Sequence, residues 1–381
     1  MRRVLQISKF YPPVMGGIES AAWELTEGLN AAGLRTDVLC AHQRPVTATE
    51  RFPAGYDVVR AASLGMVMST SAAPAMLGHA RRMARGCDVV HVHMPDPMAA
   101  LAIWTARPRA ALVVHWHSDV IRQRKALKLY EPLQNWLLAR ADAIVATSQA
   151  YADASAPLRR WRDKVAVIPI GISDNRAQSN PATVQAIRQR YRGRRIVFSL
   201  GRMTYYKGFD VLIDAAAALP DDCVVLIGGD GELFEHYHDL VLERGLSGRV
   251  HLLGQILDHE LVSHFEACDV FCLPSTARAE AYGVAILEGM VTGKPIVATD
   301  IAGSGVPWVN VDGVTGFNVP VFEPRALADA LTRLLGDGDL RARLGAAARE
   351  RYFAHFGAER MTRKTIELYE ALPRRSATST R

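Results

Sequence analysis

Residues 195–208, RIVFSLGRMTYYKG, decide the fold of the second half of the chain. The first six are mostly apolar and predict a buried strand, and the rest form a turn that starts and ends in glycine. A helix is predicted directly after this turn, at 208–218. Strand, turn and helix in this order are the repeating unit of parallel α/β sheets, whose ligands bind beyond the carboxyl ends of the strands. The loop from Gly201 to Gly208 is therefore a place to look for chemistry.

The same alternation extends in both directions from this stretch. The second half has further predicted strands at 223–227, 250–253, 270–273 and 295–298, with helices between them and three more helices near 324–336, 338–353 and 358–371. The first half has predicted strands at 4–8, 36–40, 89–93, 112–116, 143–147 and 165–168, with helices near 18–32, 97–106, 122–140 and 148–160. The predicted fold is α/β, with two doubly wound Rossmann-like parallel-sheet domains facing a central cleft.

The pattern breaks once, at a polar stretch that contains Pro181 and Gly193. We therefore predict an N-terminal Rossmann-like domain over 1–172, a linker over 173–194, and a second Rossmann-like domain over 195–353. A C-terminal helix over 354–372 is expected to cross back to the N-terminal domain, and 373–381 to be a tail. A length of 381 residues agrees with two domains.

Charge and targeting signals limit the function classes. Residues 1–172 carry 21 Lys and Arg against 13 Asp and Glu, so the first half holds the whole basic excess of a chain with net charge +6. Such a half suits an anionic membrane surface, a phosphorylated substrate or nucleic acid, or serves solubility alone. Gln6 and Lys9 interrupt the first apolar run, and no run is long enough to span a bilayer, so we expect a cytoplasmic protein.

The five cysteines, Cys40, Cys87, Cys223, Cys268 and Cys272, mostly lie in or beside apolar runs, as free buried thiols do. Cys268 and Cys272 have no histidine cluster or second cysteine pair near them, and we predict no metal site.

Two loops in the first half carry candidate ligand groups. Gly16 and Gly17 follow the first strand and open a helix, where small residues and free N–H groups suit a diphosphate, although an ordinary tight turn would look the same. His115 and His117 end another strand, as His91 and His93 end a third. His117 is the one expected to reach the ligand, by donating to a sugar hydroxyl or balancing a phosphate. For the other three, packed histidines are the expectation.

The second half adds cations and carboxylates. Arg202 and Lys207, five positions apart, suit a departing diphosphate, on which negative charge builds up. The segment 280–290, EAYGVAILEGM, places Glu280 before a helix and Glu288 within it, and carboxylates accept hydrogen bonds from sugar or ribose hydroxyls. Between them, the N–H groups of Gly283 and Val284 would face a phosphate. The loop 228–231, GGDG, is expected to line the site through its backbone.

Taken together, KFYPPVMGGIE, GRMTYYKG and EAYGVAILEGM resemble the retaining GT-B glycosyltransferases of family 4 over nearly the whole chain, with the last segment matching the family's E-x7-E signature. The resemblance implies that Gly16 and Gly17 contact the donor phosphates, His117 the sugar, and Arg202 and Lys207 the diphosphate. Glu280 would hold the sugar hydroxyls and Glu288 the ribose, so that the domain over 195–353 would bind the nucleotide sugar and the domain over 1–172 would be the acceptor side. Tyr282 stands where many members have Phe and is included in the donor site.

The stretch that begins VHWHSDVIRQRK is similar to bacterial enzymes of surface polysaccharide assembly, many of them mannosyl- or rhamnosyltransferases. This similarity favours transfer of a hexose, with mannose and GDP-mannose preferred over a UDP-sugar, to a polyprenyl-linked glycan. The basic, aromatic-containing segment 121–138 would then contact an anionic inner membrane, unless its apolar stripe packs on the sheet. We expect a metal-independent reaction that retains anomeric configuration, with the donor phosphate helping to take the acceptor's proton.

Three other classes remain as alternatives at this stage. A sugar-nucleotide epimerase would use the same architecture without an acceptor. A nicotinamide-dependent oxidoreductase is disfavoured because the first strand leads into PPVMGGIE and not into a G-x-G-x-x-G turn. A nucleic-acid-binding protein has only the basic pI of 9.1 in its favour, and no nucleic acid partner is predicted.

Overall fold

The computed structural model describes residues 2–14, 16–67, 70–120 and 124–373. These residues form two compact units, of which the first contains 1–172 and 358–381 and the second contains 173–357. Each unit is built on a sheet that is mostly or wholly parallel, so the predicted α/β class with two parallel-sheet domains is confirmed.

The first unit contains an eight-stranded sheet whose central strands are predominantly apolar. Its strands and helices up to residue 172 are β1 Arg3–Ile7, α1 Gly17–Ala31, β2 Arg35–Ala41, β3 Ala48–Arg51, β4 Asp57–Ala61, β5 Met66–Val67, β6 Thr70–Ser71, α2 Ala75–Met83, β7 Val89–Met94, α3 Pro97–Ala106, β8 Ala111–Trp116, α4 Arg124–Arg140, β9 Ala143–Ala146, α5 Gln149–Ala154 and β10 Val165–Val167. The sheet order is β10-β9-β8-β7-β1-β2-β4-β3, with every pair parallel except β3 and β4. Strands β5 and β6 form a separate two-stranded antiparallel sheet.

The second unit contains a six-stranded, fully parallel sheet in the order β13-β12-β11-β14-β15-β16. Its elements are α6 Pro181–Arg190, β11 Arg195–Leu200, α7 Phe209–Ala216, β12 Cys223–Gly228, α8 Phe234–Glu243, β13 Val250–Gly254, α9 Asp258–Ala267, β14 Val270–Leu273, α10 Val284–Val291, β15 Ile296–Asp300, α11 Val306–Val309, β16 Gly316–Pro320, α12 Pro324–Gly336 and α13 Gly338–His355. Side chains such as Phe209, Val225 and Leu331 fill the core under this sheet.

The last helix, α14 (Ala358–Ala371), packs on α1 in the first unit. The contact is close at Gly28, where a Cβ would collide with the Thr362 hydroxyl. Met361 and Tyr369 join the core beneath the first sheet, so this helix is part of the unit's core and not an appendage.

The segment 173–194, expected to be a linker, lies within the second unit, where α6 packs on α9. Asn180 caps α6 and also binds the Ser263 hydroxyl, while Arg188 pairs with Asp269. These contacts explain why a polar segment without its own core is held in one place.

The predicted helix 148–160 is two elements. The first is α5, which ends before Ser155, and a 3₁₀ helix, Ala156–Lys164, follows. Pro157 lacks the N–H group that a continuous α-helix would use at this position, so the α-helix stops ahead of it.

Candidate active site

The loop after β11 brings one predicted cation against one predicted carboxylate. Lys207 Nζ lies 2.6 Å from Glu280 Oε2, and each side chain is only 11% exposed. The Ser275 hydroxyl, which follows β14, donates to the same carboxylate oxygen over 3.0 Å. Residues 73 positions apart in the chain therefore meet at the carboxyl edge of the second sheet.

Lys207 stays protonated beside Glu280. Burial is the largest single influence and acts to lower the pKa of Lys207, but the charge and hydrogen bond of Glu280, together with Tyr206, outweigh it, so the pKa is raised. The ammonium is therefore fully charged at neutral pH, and the pair is electrically balanced when no ligand is bound.

Three glycines allow this loop to fold. Gly208 has φ +66°, and a Cβ there would collide with the carbonyl oxygen of Pro274. Gly229 has φ +125° and approaches the carbonyl of Gly201, and Gly231 approaches Met203 in the same way. The GGDG loop thus supports the loop after β11 through its backbone, and only glycine fits at these contacts.

Arg202 differs from Lys207 in having no internal partner. Its side chain is exposed, and it makes no hydrogen bond or ion pair with any residue that the structure describes. It is close enough to Lys207 for its charge to act on the pKa of that ammonium. A free guanidinium beside a buried ammonium is a ready anion-binding group.

The remaining predicted residues of the second unit lie on or beside α10. Gly283 precedes this helix with φ +81°, and its carbonyl accepts from the Ile286 N–H, whereas the N–H group of Val284, the first helical residue, has no acceptor within the helix. Glu288 lies one turn further on, where its carboxylate accepts a 2.9 Å hydrogen bond from Asn175. Tyr282 is buried, and its ring lies beside Trp308 and Phe356.

In the first unit, Gly16 and Gly17 are exposed where β1 leads into α1, and Gly17 begins the helix. The Glu19 carboxylate lies beside this turn, since a Cβ on Gly16 would be 2.7 Å from Glu19 Oε2. Neither glycine has a positive φ, so close approach of a ligand, and not backbone strain, would be the reason for glycine here.

Arg60, which the sequence did not single out, holds the chain that leads to this turn. Its guanidinium is buried on β4 and donates to the carbonyl oxygens of Tyr11 and Pro12, while Glu50 accepts from it over 2.9 Å. No sequence pattern connects a residue of β4 with carbonyls 48 and 49 positions earlier.

Replacing Arg60 by methionine is expected to lower the free energy of unfolding by about 2–4 kcal/mol, because two buried carbonyls lose their donor. Arg51→Met is the matched control, since the Arg51–Asp57 pair is exposed and should contribute less than about 1 kcal/mol. Urea unfolding of the two variants measures this difference. Equal losses would show that Arg60 does not support the loop.

Four histidines form a buried stack at the centre of the first sheet. His93 on β7 lies opposite His115 on β8, with ring centroids 5.2 Å apart, and the rings of His115 and His117 are 4.1 Å apart. His117 is 4% exposed. Burial lowers the pKa of all four histidines, and for His91, His93 and His117 the neighbouring imidazoles lower it further, so the stack is neutral at physiological pH.

Ring nitrogens of His91, His93 and His115 all lie within 4.8 Å of one another, which is close enough to consider a metal ion. A metal needs lone pairs that point at one centre, whereas these rings are stacked with interplanar angles of 24° and 25° about His93. The ring nitrogens are also engaged already, apart from Nε2 of His115. We therefore assign a hydrogen-bonded cluster and no metal here.

Asp96 is a second residue that the sequence analysis missed. It follows β7, caps α3 by accepting from the Met98 N–H over 3.0 Å, and leaves its other oxygen, Oδ2, buried without a partner. Burial raises the pKa of Asp96 to about 6. The sequence signal that could have found it is a polar residue between two prolines directly after a buried strand.

Asp96→Asn is expected to stabilise the protein at pH 7, because asparagine caps a helix as well as aspartate but carries no buried charge. A carboxyl whose pKa is raised by folding destabilises the fold above that pKa, here by at most about 3 kcal/mol, and has no effect below about pH 4. Thermal unfolding from pH 4 to 8 should show a gain that grows between about pH 4 and 6 and then levels off. Asp337→Asn at the exposed cap of α13 should show none; a pH-independent result at Asp96 would contradict the assignment.

The segment 121–138 lies partly outside the described residues. Arg122 falls there, and of Arg124 and Lys125 only the backbone is described, within α4. Further along α4, Lys128 and Leu129 are exposed, with Leu129 at 87%, while Leu137 and Leu138 pack into the unit. Among the helices that the structure describes, none has the length and apolar character to span a bilayer. The five cysteines are free thiols, as predicted.

Comparison with known proteins defines the family. The family model for glycosyltransferase family 4 matches residues 15–176, and the model for glycosyl transferases group 1 matches residues 183–351. The chain is 32% identical to O-antigen chain mannosyltransferase C of Escherichia coli, over 97% of this chain and 98% of that protein. It is 35% identical to D-rhamnosyltransferase WbpZ of Pseudomonas aeruginosa, over 93% of this chain and 92% of that protein.

Solved structures agree on the fold. HepE of Anabaena, in complex with UDP and glucose, superposes with a TM-score of 0.79 over 98% of this chain and 100% of that one, at 22% identity. The fold is therefore shared even at this low sequence identity. The chain belongs to glycosyltransferase family 4 and has the GT-B fold, and the comparisons give no support to the epimerase alternative.

Proposed function

We propose that this glycosyltransferase moves a hexose from a nucleoside diphosphate sugar to a glycan acceptor during surface polysaccharide assembly. Mannose is favoured by the mannosyltransferases among its relatives, and D-rhamnose is the second candidate because of the 35% identity to a D-rhamnosyltransferase. GDP-mannose is favoured as donor because one relative of 27% identity is a GDP-mannose-dependent enzyme.

The observation that carries this proposal is the buried pair of Lys207 and Glu280, with the unpaired Arg202 beside it. A diphosphate that approaches these cations would take over the neutralisation of Lys207. Glu280 would then accept hydrogen bonds from hydroxyls of the transferred sugar.

The other predicted residues complete the donor site in the proposal. The N–H groups of Gly283 and Val284, and the turn at Gly16 and Gly17, would bind phosphate oxygens. Glu288, oriented by Asn175, would accept from the ribose hydroxyls. His117 would contact the sugar. Tyr282 would support this site from its buried position and not through direct contact with the ligand.

The proposed reaction retains the anomeric configuration. The acceptor hydroxyl attacks from the face that the diphosphate leaves, and the departing phosphate accepts its proton. Arg202 and Lys207 stabilise the charge that develops on the leaving group, so the reaction needs no metal.

The proposed acceptor is a polyprenyl-linked glycan reached from the cytoplasmic face of the inner membrane. Exposed apolar side chains of the first unit support contact with such a membrane, and Lys128 lies next to one of them. They are Leu64, Met66, Val67 and Leu129. Binding to vesicles with and without anionic lipid tests this contact, and it should weaken with salt.

A thermal-shift panel of GDP, UDP and ADP, with their mannose, rhamnose and glucose conjugates, tests the donor, because a ligand that binds only the folded state raises the midpoint. The best donor is then incubated with acceptor in the presence of a chelator, and the anomeric configuration of the product is read by NMR. Retained configuration and unchanged turnover are expected. Isomerised sugar in the absence of acceptor would instead indicate an epimerase.

A further inference from the structure

A chain of three hydrogen-bonding side chains runs across neighbouring strands of the first unit and ends at His117. Gln6 on β1 accepts from His93 on β7, with Oε1 2.8 Å from His93 Nε2. His93 Nδ1 is in turn 2.8 Å from His117 Nε2. All three side chains are buried, with exposures of 0%, 1% and 4%.

The direction of every hydrogen bond in this chain follows from the first. In the orientation that the structure gives the Gln6 amide, its oxygen faces His93, and an amide oxygen only accepts; His93 then carries its proton on Nε2, and its Nδ1 is a lone-pair acceptor. His117 must therefore donate from Nε2. Because the imidazoles are neutral, each ring carries a proton on only one of its two nitrogens, and Nδ1 of His117 is therefore unprotonated.

The unprotonated nitrogen is also the one without a partner. Nδ1 of His117 is buried and makes no hydrogen bond within the part of the chain that the structure describes. His117 directly follows β8, at the carboxyl edge of the sheet, where ligands of parallel α/β domains bind. A buried acceptor without a donor is a place that a ligand hydroxyl can satisfy.

We propose that Gln6 and His93 are positioning residues that hold His117 with its proton on Nε2, so that Nδ1 accepts a hydrogen bond from a hydroxyl of the transferred sugar. This inference rests on the proposed function for the identity of the ligand. It excludes one of the two roles considered for His117, since a neutral ring that presents a lone pair repels phosphate oxygens and cannot balance their charge.

The direct test is the protonation pattern of the histidines in the ligand-free protein. Long-range ¹H–¹⁵N correlation spectra of ¹⁵N-histidine-labelled protein distinguish a protonated from an unprotonated ring nitrogen, and His117→Asn identifies the resonances. We expect a single neutral form of His117 with the proton on Nε2 from pH 6 to 8. A proton on Nδ1, or a charged ring at pH 7, would overturn the proposal. A stoichiometric divalent metal in the purified protein would do so as well, because it would occupy the same lone pairs.

Gln6→Met tests the positioning role, because it removes the acceptor oxygen and keeps the length of the side chain. We expect a second protonation form of His117 to appear in the spectrum. KM for the donor should rise roughly 5–10-fold with kcat changed less than about threefold, which is the effect of losing one hydrogen bond that is equally strong in the ground state and in the transition state. Thr36→Val is the matched control: it removes a buried hydroxyl of the same sheet that donates to the Leu34 carbonyl and not to the histidine chain, so the His117 pattern and KM should stay as in the wild type.

A series of deoxy-sugar donors separates this effect from a general loss of packing. For the donor that lacks the hydroxyl bound by Nδ1, Gln6→Met should cause no further rise in KM, which is the signature of coupling between the two groups. If the KM penalty is the same for every deoxy donor, the positioning role is wrong. If no sugar nucleotide binds at all, the proposed function fails, while the spectrum of the ligand-free protein still decides the protonation of His117.

Discussion

Replacing Lys207 by methionine should lower kcat by roughly 10²–10³-fold, because in the proposed reaction the charge that develops on the leaving diphosphate loses its buried cation. The same change leaves the Glu280 carboxylate with only the Ser275 hydroxyl, and we expect the free energy of unfolding to fall by about 2–4 kcal/mol. Steady-state kinetics and urea unfolding measure the two effects. Arg343→Met, which removes an exposed charge from α13 of the same unit, should change neither.

The double variant Lys207→Met, Glu280→Gln separates the two effects. With no unpaired carboxylate left, most of the lost stability should return, while turnover stays low because the cation is still missing. Recovery of activity together with stability would mean that Lys207 acts only on the fold.

Arg202→Ala should give the second largest loss of turnover, about 10²-fold in kcat, with the free energy of unfolding changed by less than about 0.5 kcal/mol. Turnover and stability should respond differently because the Arg202 side chain is exposed and makes no hydrogen bond with the residues that the structure describes, so its removal costs the fold little. Arg202→Lys is the matched variant. It keeps the charge but not the planar fork of donors, so it should recover part of the activity.

Near-normal turnover of Arg202→Ala would remove this residue from the leaving-group site. A large loss of stability in the same variant would contradict the exposed position that the structure gives it.

Much of the fold could be predicted because the central strands of both sheets are short apolar runs between helices. The predicted strand at 270–273 and the helices at 324–336 and 358–371 agree with the structure residue for residue. The missed strands lie at or near sheet edges. In β3, Ala48–Arg51, polar residues are exposed and leave no apolar pattern, and β16, Gly316–Pro320, carries a glycine and a proline at its ends.

The candidate site was predicted less completely, because sequence patterns show which residues follow a strand but not which residues meet. Lys207 and Glu280 could be found, since each stands in a strand-to-helix loop. Arg60 and His93 act across strands that the sequence separates widely, and Gln6 was noticed only as an interruption of an apolar run. Their partners become visible only when the strand order is known.

The contact between Lys207 and Glu280 also bears on which molecules the resting protein ignores. A sugar without phosphate brings no negative charge, so it would have to compete with an ammonium for the carboxylate, and free hexoses should bind poorly. A diphosphate can exchange places with the carboxylate on the ammonium, which releases an acceptor for hydroxyl groups at the same moment. Recognition of the nucleotide would in this way come before recognition of the sugar, and the enzyme would be insensitive to the free sugars around it.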